Sequence, residues 1–274
     1  MDRISQEAWL ERRPYLRPVA DFHAQVAVAA ASIPITGLHF PSWDNYSGDY
    51  HAGVPLLRSP RVSIDFEPAA AIVASLVESL TSKPLAEKLA EETRVLDAQL
   101  RSEPDAPRRV IAWLLGNDAF ATAHSGLLRF LGWVSLARYL RPLVEEFRGW
   151  RDEDRWLRCY CPTCGSAPSM SQLIGVDPGR QRFLSCGCCG TRWRFRRIGC
   201  PFCESADTHR LAVLAIEGEG NLRIDYCESC RAYLKTYNGE GSETLLLADW
   251  TSLHIDLIAA DRGLKRLASS LYDL

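Results

Sequence analysis

Cys161-Pro-Thr-Cys164, Cys186-Gly-Cys-Cys189, Cys200-Pro-Phe-Cys203 and Cys227-Glu-Ser-Cys230 hold eight of the ten cysteines in this 274-residue sequence. The other two, Cys159 and Cys188, fall inside the same stretch, so residues 159–230 contain every cysteine of the chain. A Cys-x-x-Cys turn presents two thiolates to one ion, and a closed tetrahedral site needs two such turns. The first two pairs are separated by 21 residues and the last two by 23, which fits two tandem four-cysteine sites. Sequential pairing, Cys161/Cys164 with Cys186/Cys189 and Cys200/Cys203 with Cys227/Cys230, closes shorter loops than an interleaved arrangement of the same residues. It predicts two metal ions per chain, iron or zinc, since both accept four thiolates in tetrahedral geometry.

Each half of the cluster spans about 40 residues, near the size below which a chain rarely folds unaided, so a bound ion supplies the missing stabilisation. Gly165 and Gly190 directly follow a second knuckle cysteine, where a positive φ suits the turn. Pro162 and Pro201 stiffen the turns they occupy. Four protein ligands leave no open position, which argues against hydrolysis by a metal-bound water. Zinc would make both sites structural, whereas iron would make them rubredoxin-like one-electron centres. Cys159 and Cys188 read either as spare, partly buried thiols or as groups for ligand exchange beside the metal.

Outward from the knuckles the chain reads as short strands. Thr191-Arg-Trp-Arg-Phe-Arg-Arg197 alternates, so a strand there puts Arg192, Arg194 and Arg196 on one face and Trp193 and Phe195 on the other. Such an arginine row can grip an acidic protein surface or phosphate, or it can be a solvated edge that discourages strand pairing. Residues 182–185 lead into the second knuckle. Residues 211–216 and 222–226 flank a Gly-rich hairpin connection at 217–221, and 232–237 reads as a last strand. Helical spacing returns from Asp249 through Trp250, Leu253, Leu257 and Ile258 and ends at Gly263.

The first 150 residues have a helical character instead. Apolar stripes predict helices at 18–33, at 67–80, after Ser82 and Pro84, and from Pro107 to about Gly116. An apolar segment at 118–140 is followed by a helix restarted at Pro142 and running to Trp150. Residues 36–66, with His39, Phe40, Trp43, Tyr46, Tyr50 and His51, show no clear period and read as a long loop packed over the core. His23, His39 and His51 match no ligand spacing, and His124 sits on an apolar stripe as a core histidine. Arg12-Arg13 before an apolar run imitates a twin-arginine export signal, but Pro14, Asp21, His23 and Gln25 interrupt it, so a buried amphipathic helix is expected.

The fold class that follows is α+β: an all-helical domain at 1–150, rubredoxin-like or zinc-ribbon four-cysteine modules at 151–198 and 199–245, and a helical tail at 246–274. No apolar run reaches the roughly 20 residues that span a bilayer. Thiolates arranged for metal favour a reducing compartment, and hence the cytoplasm. A net charge of −2 gives no bulk attraction to nucleic acid or anionic membrane. Phosphate-cradling, nucleophile-elbow and His-Glu-x-x-His motifs are missing, so no enzyme activity is expected.

The motif set resembles the formate dehydrogenase accessory protein (FdhE) family. The resemblance rests on Cys161-Pro-Thr-Cys164-Gly-Ser-Ala-Pro168, Arg182-Phe-Leu-Ser-Cys186, Cys189-Gly-Thr-Arg-Trp193 and Arg197-Ile-Gly-Cys200-Pro-Phe-Cys203. Cys227-Glu-Ser-Cys230-Arg-Ala-Tyr-Leu-Lys235 and the tail Ala248-Asp-Trp-Thr-Ser-Leu-His-Ile-Asp256 extend it, with Gly53-Val-Pro-Leu-Leu57 as a weaker echo. It implies a helical N-terminal domain before two rubredoxin-like modules, with the eight paired cysteines as ligands. It also implies a maturation factor that binds the catalytic subunit of a respiratory formate dehydrogenase in the cytoplasm. The family's tail usually begins with two aspartates, and here Ala248 leaves Asp249 alone. Partner contacts are accordingly expected at Arg192, Arg194 and Arg196, or on the tail at Asp249 and Asp256. A tandem zinc-ribbon protein that binds nucleic acid and a rubredoxin-like electron carrier are the competing readings; the charge balance argues against the first.

Overall fold

The structure, a computed structural model, describes residues 4–37, 39–176, 178–269 and 271. In chain order the helices are α1 (Gln6–Glu11), α2 (Arg17–Ser32), α3 (Trp43–Ala52), α4 (Glu67–Thr81), α5 (Glu87–Ser102), α6 (Ala106–Leu114) and α7 (Ser125–Trp150). Strands β1 (Met170–Ile174), β2 (Gln181–Ser185), β3 (Arg192–Phe195), β4 (Leu211–Ala215), β5 (Leu222–Cys227) and β6 (Tyr233–Asn238) follow, then α8 (Glu243–Leu246) and α9 (Leu253–Asp261). The α+β class and the order of helices before cysteine modules are those expected from the sequence. Two compact units are present: one gathers residues 4–20, 47–59 and 151–269, the other 21–46 and 60–150.

In the helical unit α4 is the central element, packing against α5, α6 and α7. Its apolar stripe, Ala69, Ile72, Val73, Leu76, Val77 and Leu80, is buried throughout. Each large aliphatic side chain so buried contributes roughly 1.5–3 kcal/mol. Two expectations need correction here. Helix α7 does not restart at Pro142 but runs through it. Buried side chains on both sides, from Leu131 and Leu136 to Leu143 and Phe147, outweigh the hydrogen bond that proline removes. Nor is 36–66 all loop. Trp43, Tyr46 and Tyr50 recur at helical spacing along α3, and Tyr46 and Tyr50 are buried.

The cysteine-rich unit is built on one six-stranded sheet, ordered β3-β2-β1-β6-β5-β4. Each four-cysteine module supplies an antiparallel three-strand meander, and the parallel pairing of β1 with β6 joins the two. The modules therefore share one sheet rather than standing as separate beads. Central β6 is buried on both faces, and so is β1, whose run Met-Ser-Gln-Leu-Ile lacks the alternation that reveals a half-buried strand. Residues 4–20 belong to this unit as well: Trp9 is buried and its indole donates to the carbonyl of Thr251 at 3.1 Å. Arg13 lies over the Trp9 ring at 3.5 Å and pairs with Glu219 in the β4–β5 turn, so the second arginine of the Arg12-Arg13 pair is part of the fold.

Candidate metal centres

Four turns of identical backbone design position the cysteines. In each, the first cysteine's N–H donates to the carbonyl five residues on, and its own carbonyl accepts from the N–H four residues on. The pairs are Cys161 with Ser166 and Gly165, Cys186 with Thr191 and Gly190, Cys200 with Ser205 and Glu204, and Cys227 with Ala232 and Arg231. The fifth residue of every turn is left-handed, with φ of 78° at Gly165, 75° at Gly190, 60° at Glu204 and 61° at Arg231. Glycine takes that conformation freely; Glu204 and Arg231 are the two non-glycine residues with positive φ among the described residues. Strands fix the turns in space: β2 ends one residue before Cys186 and β5 ends on Cys227, while β3 and β6 leave the same two knuckles.

The sulfurs gather sequentially, Cys161, Cys164, Cys186 and Cys189 in one group and Cys200, Cys203, Cys227 and Cys230 in the other, all within 4.8 Å of one another in each. Sulfur–sulfur separations are 3.5 Å for Cys161–Cys189 and Cys164–Cys186, and 3.7 Å for Cys200–Cys230 and Cys203–Cys227. A tetrahedron with metal–sulfur arms of about 2.3 Å has edges of about 3.8 Å, so both groups have the dimensions that an ion demands. As thiols, the buried sulfurs of the first group compete for protons. Hydrogen bonding to its cysteine neighbours pushes Cys186 up and burial pushes Cys189 up, while bonds from Cys161, Cys186 and Cys189 hold Cys164 well down.

The two groups sit in different surroundings. All four cysteines of the first are buried. The Thr163 and Thr191 hydroxyls link its two turns at 2.8 Å, and Ser166 Oγ lies 3.3 Å from Cys164 Sγ. Residues 53–58 lie over it: Leu56 and Leu57 donate their N–H groups to the carbonyls of Pro162 and Thr163 at 2.8 and 2.9 Å, and Tyr160 donates its hydroxyl to the carbonyl of Gly53 at 2.8 Å. Trp156 stacks on Tyr50 at 5.1 Å and donates its indole N–H to the carbonyl of Tyr160, just before the first knuckle, at 2.9 Å. The Gly53–Leu57 segment thus has a place at the site that its sequence did not disclose. In the second group Cys203 is exposed and Cys230 half-buried.

Neither unpaired cysteine joins a group. Cys159 Sγ lies 3.4 Å from a Glu204 carboxylate oxygen, and burial followed by that carboxylate pushes its thiol up. Cys188 is buried next to the first group. Arg192 and Arg194 do share a face of β3 opposite buried Trp193 and Phe195, and Arg196 follows just past the strand. Each is half-buried and engaged within the fold: Arg192 donates to the Gln172 side chain, Arg194 pairs with Asp154, and Arg196 donates to the Glu204 carbonyl at 2.6 Å.

The tail aspartates lie inside the fold. Asp249 and Asp256 are both buried. Lys235 Nζ, itself only 1% exposed, sits 2.7 Å from a carboxylate oxygen of each. Arg266 pairs with Asp249 at 2.7 Å and Asp256 at 3.0 Å, and Tyr233 donates to Asp256 at 2.6 Å. Two cations and two anions close an internal network that fastens α9 to β6.

Comparison with known proteins places this geometry. Residues 160–197 match the family model "FdhE, central domain". A "Protein FdhE homolog" of Pseudomonas aeruginosa is 33% identical over 186 residues, 63% of this chain and 58% of the relative. Another, of Aquifex aeolicus, is 30% identical over 142 residues, 50% of this chain and 49% of the relative. The chain thus spans about half to three-fifths of the curated relatives it matches. The crystal structure of the FdhE protein from Pseudomonas aeruginosa shares the fold, with a TM-score of 0.64 at 23% identity, covering 94% of this chain and 88% of that one. The resemblance to the FdhE family carried by the knuckles therefore extends to relatives in sequence and to fold.

Proposed function

We propose, from this relationship to the FdhE proteins, that the chain is a non-enzymatic accessory factor that binds the catalytic polypeptide of a formate dehydrogenase in the cytoplasm during its assembly. The observation that carries the reading is the pair of four-sulfur groups, spaced for metal and embedded in one sheet, the first of them within the matched central-domain stretch. Cys161, Cys164, Cys186 and Cys189 would hold one ion, and Cys200, Cys203, Cys227 and Cys230 the other. Zinc there supplies a cross-link alone; iron supplies a one-electron couple as well. With all ligands drawn from the protein, the centres shape a binding surface and activate no water. That no helix among the described residues is long and apolar enough to cross a membrane accords with this reading.

The Arg192, Arg194 and Arg196 row is the contact we assign to the partner. Arg194 leads it, because its internal partner Asp154 is itself exposed, so an acidic surface can take Asp154's place at little cost. The test is retention of a formate dehydrogenase catalytic polypeptide by the immobilised chain, with metal content measured on each variant. Parent protein retains it; C161S/C164S loses one ion and the retention together; R192S/R194S/R196S keeps both ions and binds more weakly, most clearly at low salt. Failure of the parent to retain the polypeptide rejects the proposed function, and undiminished retention by the arginine variant rejects that row as the contact.

A further inference from the structure

The two four-cysteine groups are alike in sulfur geometry and unlike in everything that governs how an ion leaves. Substitution at a four-thiolate ion needs an incoming ligand to reach the coordination shell while one sulfur swings away. Around the first group both routes are closed. Its four sulfurs are buried, a threonine pair ties its turns together, and residues 53–58 are hydrogen-bonded across its first knuckle. Opening it means breaking the Leu56 and Leu57 bonds and moving that segment.

Around the second group three independent observations point the other way. Cys203 is exposed, whereas every ligand residue of the first group is buried. A cleft of about 250 Å³, walled in part by Cys200, Pro201, Phe202 and Cys227, approaches the same group from the sheet side. And both of its knuckles carry backbone strain that the first group avoids. Glu204 and Arg231 occupy the left-handed position that Gly165 and Gly190 fill in the first group. That strain is held from outside. Arg196 grips the Glu204 carbonyl at 2.6 Å; the Lys265 N–H donates to the Arg231 carbonyl at 2.7 Å, and the Arg231 guanidinium donates to the Arg262 carbonyl at 2.7 Å. Releasing Cys203 lets Glu204 relax, which favours the open state of this knuckle over the same step at Gly165.

We propose that the centres divide labour: the first keeps its ion as a permanent cross-link, and the second exchanges its ion with soft, thiolate-bearing ligands through Cys203. This rests on the reading of both groups as metal-binding. The exchange is a ligand substitution without electron transfer: an incoming thiolate takes the coordination position that the Cys203 sulfur gives up, and the ion keeps its charge.

The experiment uses the full chain loaded with two Zn(II) ions, challenged with excess chelator while N-ethylmaleimide labels sulfurs as they open, each cysteine then being located by mass spectrometry. One ion leaves in a phase at least about tenfold faster than the other. Cys203 and Cys230 are labelled in that phase, and Cys161, Cys164, Cys186 and Cys189 stay protected. E204G, which removes the strain and keeps the carbonyl held by Arg196, slows the fast phase by roughly fivefold without changing the slow one. A single release rate, earlier labelling of the first group, or no release from either group overturns the proposal alone. A chain that takes up no ion overturns it together with the metal-binding reading.

Discussion

Lys235 shows how far a single residue can be read. In the sequence it ends the run Cys227–Lys235 that carries part of the family resemblance, and nothing local links it to Asp249 and Asp256. In the fold it lies within a strand buried on both faces, so its charge must be matched inside the protein. The two tail aspartates match it, which is why they are buried. Burial alone would raise the Asp249 carboxyl; Lys235 and then Arg266 outweigh it and hold the carboxyl below its ordinary value of 3.8. A carboxyl depressed by folding adds stability that is fully present above that ordinary value and is lost as pH falls through the lowered one. Asp249→Asn should therefore cost about 3–5 kcal/mol near neutral pH, as expected when one member of a buried ion network is removed. Urea unfolding should show the loss at pH 7 and a narrower gap between variant and parent below about pH 4. A variant as stable as the parent at pH 7 would mean that the network is not what fastens α9.

At the scale of elements, the knuckles were legible and some of their neighbours were not. Cysteine spacing predicted the sequential grouping of the sulfurs, and Gly165 and Gly190 were recognisable as left-handed positions because glycine follows the second cysteine. The same position in the last two turns holds Glu204 and Arg231, whose side chains disguise it. Strand β1 was invisible because its polar Ser171 and Gln172 are buried by partners far along the chain, and α3 because its polar residues diluted the Trp43, Tyr46 and Tyr50 spacing. The two glycines also make separable predictions. At Gly190 an added Cβ would meet nothing within 4 Å, so Gly190→Ala should cost only the backbone strain, about 1–2 kcal/mol. At Gly165 it would lie 2.9 Å from Arg58 Nε and 3.2 Å from Pro55 Cγ, adding displacement of the 53–58 segment to the same strain. Thermal unfolding of the metal-loaded variants should rank Gly165→Ala below Gly190→Ala. Equal melting temperatures would show that the segment yields freely.

For the whole molecule, helical periodicity and the cysteine register were enough to give the class: helices first, two four-cysteine modules after. What could not be read was the joining of the modules into one sheet by β1 and β6, or the return of residues 4–20 and 47–59 to the cysteine-rich unit. Both depend on pairings between residues more than 60 positions apart, such as Met170 with Lys235, which leave no periodic trace. The claim on which the rest stands is that this unit is organised by two separate four-thiolate ions. Native mass spectrometry of the intact chain tests it most directly, with C200S/C203S measured beside the parent. Two ions on the parent and one on the variant are predicted, the survivor being held by Cys161, Cys164, Cys186 and Cys189; one ion on the parent, or two still bound to the variant, would contradict it.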